Sequence, residues 1–539
     1  MSHCIFPRWA AWAGLLAALA VQMSAVSGQA QCGRATWIDF PVDPAAFTIV
    51  QDFAAQSPRH QGRFHSGEDW FTERVPQPGS SRGTAVGEYV RAAADGQVVL
   101  SSPTAWGADG GVIILRHTMP DDSTAHTMYG HLTEAAGIAF PAAYTCVRQG
   151  DVLATIADVR PAPHLHFEVR VGDNITAGSG YVWLEPGTLG LRRPSKFIRT
   201  WQTRLNDAYL WQADFADERG PAAPPVRLED GSLLLLDAAD GQDRVLRLSP
   251  DGRVLWRIVL DQRAAGLVPT DSTSADIYFE DGAIQRILQD GSPGERFSLN
   301  TALDSPPISA FNRVLFHTPD DRLLAVDAAS RTIVWALDQV APVISAAANN
   351  DQAALVTQDA AGHAELLTIR ADGTLLDRAF LTEPASVALD QTGALIVFAR
   401  GGLWTIDLQG LWSPLSLDVQ GGASSAVAVA LDGTRVLFDG TALTSYAADG
   451  TGRWQALLDQ PIDGSNQLAF IGEYLLLTSS SGAAGIWRAS GGAECARLQL
   501  WGGPSTGVWH AMDGDGVLRL WVGDQLFALD WDELTAPCR

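Results

Sequence analysis

The stretch Ala162-Pro163-His164-Leu165-His166-Phe167-Glu168-Val169-Arg170-Val171 alternates polar and apolar residues from Pro163 onward. On a strand, His164, His166, Glu168 and Arg170 point one way, and Leu165, Phe167, Val169 and Val171 the other. Two imidazoles one pleat apart can supply a metal ligand and, beside it, a second histidine facing the same cleft. A half-buried strand with a solvated histidine face has the same pattern. Taken alone, this strand leaves the two readings level.

Two further motifs lie upstream. In Phe64-His65-Ser66-Gly67-Glu68-Asp69-Trp70 a histidine and an aspartate stand four apart, with a glycine between them. Where the glycine lets the backbone turn, both side chains can reach one metal from a loop that runs into a strand. Tyr129-Gly130-His131-Leu132 places another histidine at the end of a strand-like run. Each motif in isolation is read more economically as structural.

Together, in this order and spacing, His65-x-Gly-x-Asp69, Tyr129-Gly130-His131-Leu132 and His164-x-His166-Phe167-Glu168 resemble the lysostaphin-type, LytM-like zinc metallopeptidases that cut peptidoglycan. The resemblance runs from about residue 50 to 200. It includes Val90-Arg91-Ala92-Ala93-Ala94-Asp95-Gly96, the strand from Gly111 to His117, and the turn Val147-Arg148-Gln149-Gly150-Asp151. It implies a duplicated-hybrid-motif β domain with one zinc ion held by His65, Asp69 and His166, and with His131 and His164 as unliganded catalytic histidines. Three N/O ligands leave a coordination position for water, the pattern of a catalytic site. Glu168 is then either a carboxylate supporting a ligand or a solvated strand residue. One departure stands out. The connection Ala157-Asp158-Val159-Arg160-Pro161-Ala162 lacks the family's usual glycines, so this cleft wall has its own shape. His117 reads as a satisfied core histidine; His60 and His126, in polar stretches near the motifs, read as surface residues, with the cleft rim as the alternative.

Elements must exist to hold these groups. Val98-Val99-Leu100 after Asp95-Gly96, the strand 112–117, and Val152-Leu153-Ala154-Thr155-Ile156 are short β segments between Gly and Asp turns. No sustained helical period interrupts them, so the front domain is expected to be all-β.

The whole chain has 539 residues and a formal charge of −24. Such a length suggests about three to four units, or two if one is a large β domain. The charge excludes nucleic-acid and anionic-membrane binding as a main role. It is also uneven: residues 31–200 carry 14 basic against 17 acidic residues, and 201–539 carry 22 against 44. Seven of the eleven histidines fall within 60–166. The contrast divides the chain into a neutral, histidine-rich front domain (31–200) and an acidic back domain (226–539), with Gly220-Pro221-Ala222-Ala223-Pro224-Pro225 marking a linker at 201–225.

Residues 1–30 read as a signal peptide, with Arg8, the apolar run Trp9–Val21, and small residues Ser27, Gly28 and Ala30. The run is short for a bilayer span of about 20 residues, and no later stretch is long enough, so no membrane span is expected in the mature chain. An exported chain is free to oxidise its cysteines. Placement favours Cys32–Cys146 in the front domain and Cys495–Cys538 at the C-terminus.

Beyond residue 226, an apolar strand, an Asp-Gly turn, a second strand and often a tryptophan recur. Leu228 to Leu260 shows the pattern best, and copies begin near 273, 306, 342, 384, 424, 466 and 506. Trp335, Trp412, Trp454 and Trp487 occupy comparable places. A period near forty is a propeller signature, and the repeats resemble quinoprotein-like blades, seven or eight in number, with Ala208-Tyr209-Leu210-Trp211 as a candidate closing strand. His317, His363 and His510 lack ligand spacing, so the propeller is expected to bind or position.

The expectation is therefore an exported zinc endopeptidase acting on peptidoglycan peptides, with a propeller that docks on the wall or on an envelope protein. The lack of a recognisable wall-binding repeat favours the periplasm over full secretion. The competing expectation is a non-catalytic envelope binding protein that regulates another wall hydrolase.

Overall fold

The computed structural model describes residues 32–72, 85–160, 162–172, 174–215, 223–239, 242–381, 385–389, 395–399, 402–406, 412–416, 425–458, 462, 466–501 and 508–539. The expected signal peptide lies outside them, as does the first half of the Gly-Pro linker motif. The chain divides into two compact units between Leu205 and Asn206.

In the front unit the alternating stretch forms the strand Leu165–Val171, inside a large, mainly antiparallel sheet. Its neighbours are Glu68–Thr72 on one side and Thr124–Thr133 on the other, followed outward by Gly111–Thr118 and Gly96–Ser102. Register does the positioning. His166 stands opposite Asp69 across one ladder and opposite Gly130 across the other. Three motifs up to a hundred residues apart thus lie side by side. A small second sheet, Tyr181–Val182 with Arg63–His65 and Gln56–Ser57, adds His65 to the same place.

The odd-numbered face of the histidine strand, with Leu165, Phe167 and Val169, joins a core that includes Ile113, Leu115, Tyr129, Leu153, Ile156 and Trp201. The even-numbered face is buried as well, with Glu168 at 1% and Arg170 at 5% exposure. This removes the solvated reading of the strand. Helix Pro194–Arg204 packs Ile198 and Trp201 into the core. Its first turn is fixed where Ser195 donates from N and Oγ to the buried Glu68 carboxylate, at 3.1 and 2.6 Å.

The back unit contains eight four-stranded antiparallel sheets among its described residues, which sets the blade number at eight. Seven span 226–259, 264–298, 308–338, 343–381, 386–416, 426–457 and 466–499. The eighth joins the C-terminal strands of 508–530 to Tyr209–Asp214. The linker expected at 201–225 is corrected accordingly. Its first residues end the helix, and its middle is the outer strand of the last blade, because Leu529, Phe527 and Leu526 there need a fourth partner strand. Each adjacent pair of blades shares an apolar cluster. Phe215, Leu233, Leu235, Trp521 and Leu526 join the last blade to the first, so hydrophobic burial closes the ring.

The tryptophans have a common task in four blades. Trp211, Trp256, Trp335 and Trp454 lie in outer strands, and their indole N–H groups donate to Pro250, Gln289, Ala371 and Ala489 carbonyls of the following blade, at 2.8 to 3.0 Å. Trp487 departs from the expected series. It lies in the third strand of its blade, fully buried. Both expected disulfides are present, Cys32–Cys146 and Cys495–Cys538.

Candidate metal centre and cleft

His65 Nε2, Asp69 Oδ1 and His166 Nδ1 lie within 3.1 Å of one another. Each ring is held from behind. His65 Nδ1 is 3.0 Å from the Asp52 carbonyl, which can only accept, so Nδ1 carries the proton and Nε2 offers a lone pair. His166 Nε2 donates to Glu168 Oε1 at 2.9 Å, leaving its Nδ1 bare. Two nitrogen lone pairs and a carboxylate oxygen thus converge on one point, an arrangement that repels itself unless a positive charge lies between them. Two imidazoles and one carboxylate are a donor set that suits zinc. The sequence-expected ligand triad is brought together in full.

In the metal-free site a proton takes the place of that positive charge between the rings and Asp69. Burial opposes a charge on Asp69, yet hydrogen bonds from His166 and His65 outweigh it and hold the carboxyl well below its usual range. Burial also disfavours a charged His166, but Asp69 and Glu168 overcome this and push it up to about 9. Glu168 is kept ionised against its burial by His166 and Arg170, with its pKa lowered to about 2. Arg170 donates to Glu168 Oε2 at 2.7 Å, and Ser66 donates to Oε1 at 2.6 Å. Glu168 is thus a buried support for His166, not a solvated strand residue.

His131 and His164 stand beside the triad, with ring centroids 4.4 Å apart. His131 Nδ1 donates to the Asp109 carbonyl, and His164 Nδ1 to the Ala162 carbonyl, both at 2.8 Å. Both rings therefore present an unprotonated Nε2, and that of His164 lies 3.5 Å from Asp69 Oδ2. Burial, followed by the neighbouring His164, lowers the His131 pKa to about 3, and burial lowers that of His164. Both are proton acceptors at neutral pH. His131 has a φ of +61°, at the point where its strand leaves Leu165–Val171 and turns to pair with Val152–Ile156. Such strain concentrates at working sites.

Two glycines of the motifs have steric reasons. A Cβ at Gly67 would stand 2.3 Å from the Phe167 carbonyl oxygen, so glycine lets this loop close on the histidine strand. At Gly130 a Cβ would meet the Trp106 ring at 2.3 Å.

Trp106 is one of several contributors that the motifs do not reveal. Its ring edges His131 and His166, and its N–H donates to the Gly178 carbonyl. Phe71 stacks on His164. Tyr181 stacks on His60 at 3.6 Å, and its hydroxyl donates to Gln51. Trp106, Phe71, Tyr181 and His60 line a cleft of about 940 Å³ with Asp69, His131, His164 and His166. His60 is therefore part of the cleft wall. His126, expected at the surface, is 1% exposed, because both neighbouring strands cover it. His117 is the satisfied core histidine that its strand position suggests, held by the Asp95 carbonyl and Thr127.

Residues 76–177 match the family model described as Peptidase family M23, and residues 203–411 match the one described as Outer membrane protein assembly factor BamB. The front unit carries a LytM-like peptidase domain of the M23 kind. The back unit is a BamB-like propeller. The first match takes in His131, His164 and His166, while His65 and Asp69 precede it and reach the site through strand pairing. Among solved structures, BamB from Moraxella catarrhalis is 12% identical, with a TM-score of 0.45, over 60% of this chain and 99% of that one. The computationally designed Ika8 protein is 15% identical over 60% and 99%, with a TM-score of 0.44. Sqt1 of Saccharomyces cerevisiae is 10% identical over 60% and 98%, with a TM-score of 0.45. No curated protein matches the chain. No helix among the described residues is long and apolar enough to cross a membrane.

Proposed function

We propose that the protein is an exported, zinc-dependent endopeptidase that hydrolyses peptide bonds of peptidoglycan, with the propeller as its binding or positioning module. The observation that carries this reading is the convergence of His65 Nε2, Asp69 Oδ1 and His166 Nδ1 beside two further histidines whose free Nε2 atoms face one cleft. A zinc ion held by that triad would lower the pKa of a bound water to about 7 and would polarise a carbonyl. The remaining work falls to the protein. His164 Nε2, nearest to Asp69, takes the proton of the attacking water. The His164 imidazolium so formed then passes that proton to the leaving amine, with the neutral His131 ring beside it as a hydrogen-bond acceptor. Trp106 and Phe71 pack against these rings, fix their orientation and exclude bulk water. The two disulfides support residence outside the reducing cytoplasm. The BamB-like propeller supports docking on an envelope protein or the wall.

Digestion of purified sacculi, with the released muropeptides read by mass spectrometry, tests the reading. The wild type loaded with zinc is expected to cut, and His164→Ala and Asp69→Ala to lose cleavage by at least a hundredfold. Cleavage that survives both substitutions overturns the site. A zinc-loaded wild type that leaves several wall chemistries intact favours the non-catalytic regulator.

A further inference from the structure

Two guanidinium groups stand at the cleft. Arg59 lies on the short 3-10 turn Pro58–His60, and Arg160 lies in the connection leading to the histidine strand; both are exposed and line the cleft wall. The other arginines nearby are engaged. Arg63 donates to the His60 carbonyl and Ser179, Arg170 pairs with Glu168, and Arg193 pairs with Asp52. Among the described residues, neither Arg59 nor Arg160 has a carboxylate partner. The lining contains two carboxylates, Asp69, which belongs to the ligand triad, and Asp109, whose backbone carbonyl holds His131. With Asp69 committed to the ligand triad, a substrate meets two guanidinium groups against the one remaining carboxylate of Asp109, in a chain with 37 basic against 61 acidic residues. Arg160 also lies in the connection that lacks the family's glycines.

We infer that the cleft selects a peptide carrying a free carboxylate next to the scissile bond, and that Arg59 and Arg160 are its specificity-determining residues. The inference rests on the peptidase reading and narrows its substrate to acidic stem peptides. A guanidinium donates two parallel hydrogen bonds to a carboxylate, and amidation of that carboxylate removes the charge and one acceptor. Lysine keeps the charge and loses the fork.

The test uses two matched cross-linked stem peptides, identical except that the carboxylates flanking the bond are free in one and amidated in the other. Full-length, zinc-loaded protein is expected to prefer the acidic peptide by about tenfold in kcat/KM, mostly through KM, with the preference shrinking in high salt. Arg59→Gln and Arg160→Gln each reduce that ratio, their combination brings it close to one, and Arg160→Lys keeps part of it. Equal cleavage of the two peptides by the wild type, or an unchanged ratio in the double variant, overturns the inference. If the wild type cuts neither peptide, the peptidase reading fails first, and calorimetric titration of both peptides decides separately. Tighter binding of the acidic peptide, lost in the double variant, upholds the arginine site, and equal binding rejects it.

Discussion

Glu168 Oε1 lies 2.9 Å from His166 Nε2, while Asp69 Oδ1 lies 2.8 Å from Nδ1 of the same ring. One imidazole is thus fixed between a supporting carboxylate and the ligand set. Removing the charge of that support in Glu168→Gln is expected to weaken zinc binding by about 10- to 100-fold, measured by competition with a chromogenic chelator. Arg170 shares the carboxylate, so the same variant leaves a buried cation without its anion and lowers the melting temperature. Adding Arg170→Met is expected to restore the melting temperature and not the zinc affinity. Recovery of both would mean that Glu168 serves only packing.

The contact between Gly130 and Trp106 offers a test of how the cleft is held. Gly130→Ala pushes a methyl group into the indole, which must leave its place against His131 and His166. The expected outcome is a loss of stability of about 1 to 3 kcal/mol by denaturant titration, as for overpacked cores. A drop in kcat of at least about tenfold is also expected, because the proton-transfer groups lose their orientation. The pair Gly130→Ala with Trp106→Leu relieves the clash and is expected to recover stability without recovering kcat.

The strand alternation and the order of the motifs carried a family resemblance, and it was that resemblance, not the spacing itself, that pointed to His65, Asp69 and His166 as the groups the fold brings together. What the sequence left level was the environment of Glu168. Its burial depends on flanking strands from residues 68–72 and 124–133, and alternation within one strand carries no information about what covers it. Trp106 and Tyr181 were invisible for a similar reason, since each sits in a turn or a two-residue strand with no periodicity to mark it. In the propeller the blade pattern was readable because each blade repeats a local hairpin. The closing strand Tyr209–Asp214 was legible as the candidate segment Ala208-Tyr209-Leu210-Trp211, but not its pairing, because its partners lie some three hundred residues away. Trp487 shows the opposite failure: its spacing resembled that of the outer-strand tryptophans, yet it fills a core position.

The Cys495–Cys538 bridge ties the C-terminal turn to the seventh blade across a separation of 43 residues. Closing a loop of that size contributes about 4 kcal/mol in the chain-entropy account. Replacing both cysteines with serine is expected to lower the denaturation midpoint of the propeller and leave that of the front unit unchanged. Calorimetry that resolves the two transitions checks this, and an unmoved propeller transition would show that the last blade is held by its apolar cluster alone.

His117 predicts how the front unit answers to acid. The ring is 1% exposed, with Nδ1 donating to the Asp95 carbonyl at 2.9 Å and Nε2 within 2.7 Å of the Thr127 hydroxyl. Burial lowers its pKa to about 4, against the ordinary 6.5 that it regains on unfolding. Between these values the unfolded chain binds a proton that the folded chain refuses, so stability rises with pH across the window. The contribution is complete above pH 6.5 and falls away toward pH 4, by about 3 kcal/mol in all. His131 and His164 shift in the same direction, so acid sensitivity of the wild type alone does not isolate the effect. His117→Gln keeps a donor and an acceptor and cannot titrate. Urea unfolding of the zinc-free front unit within the full chain, from pH 7 to 4.5, is expected to show a shallower loss of stability in this variant than in the wild type. Parallel pH profiles for the two proteins would mean that the buried imidazole takes up its proton without leaving the core.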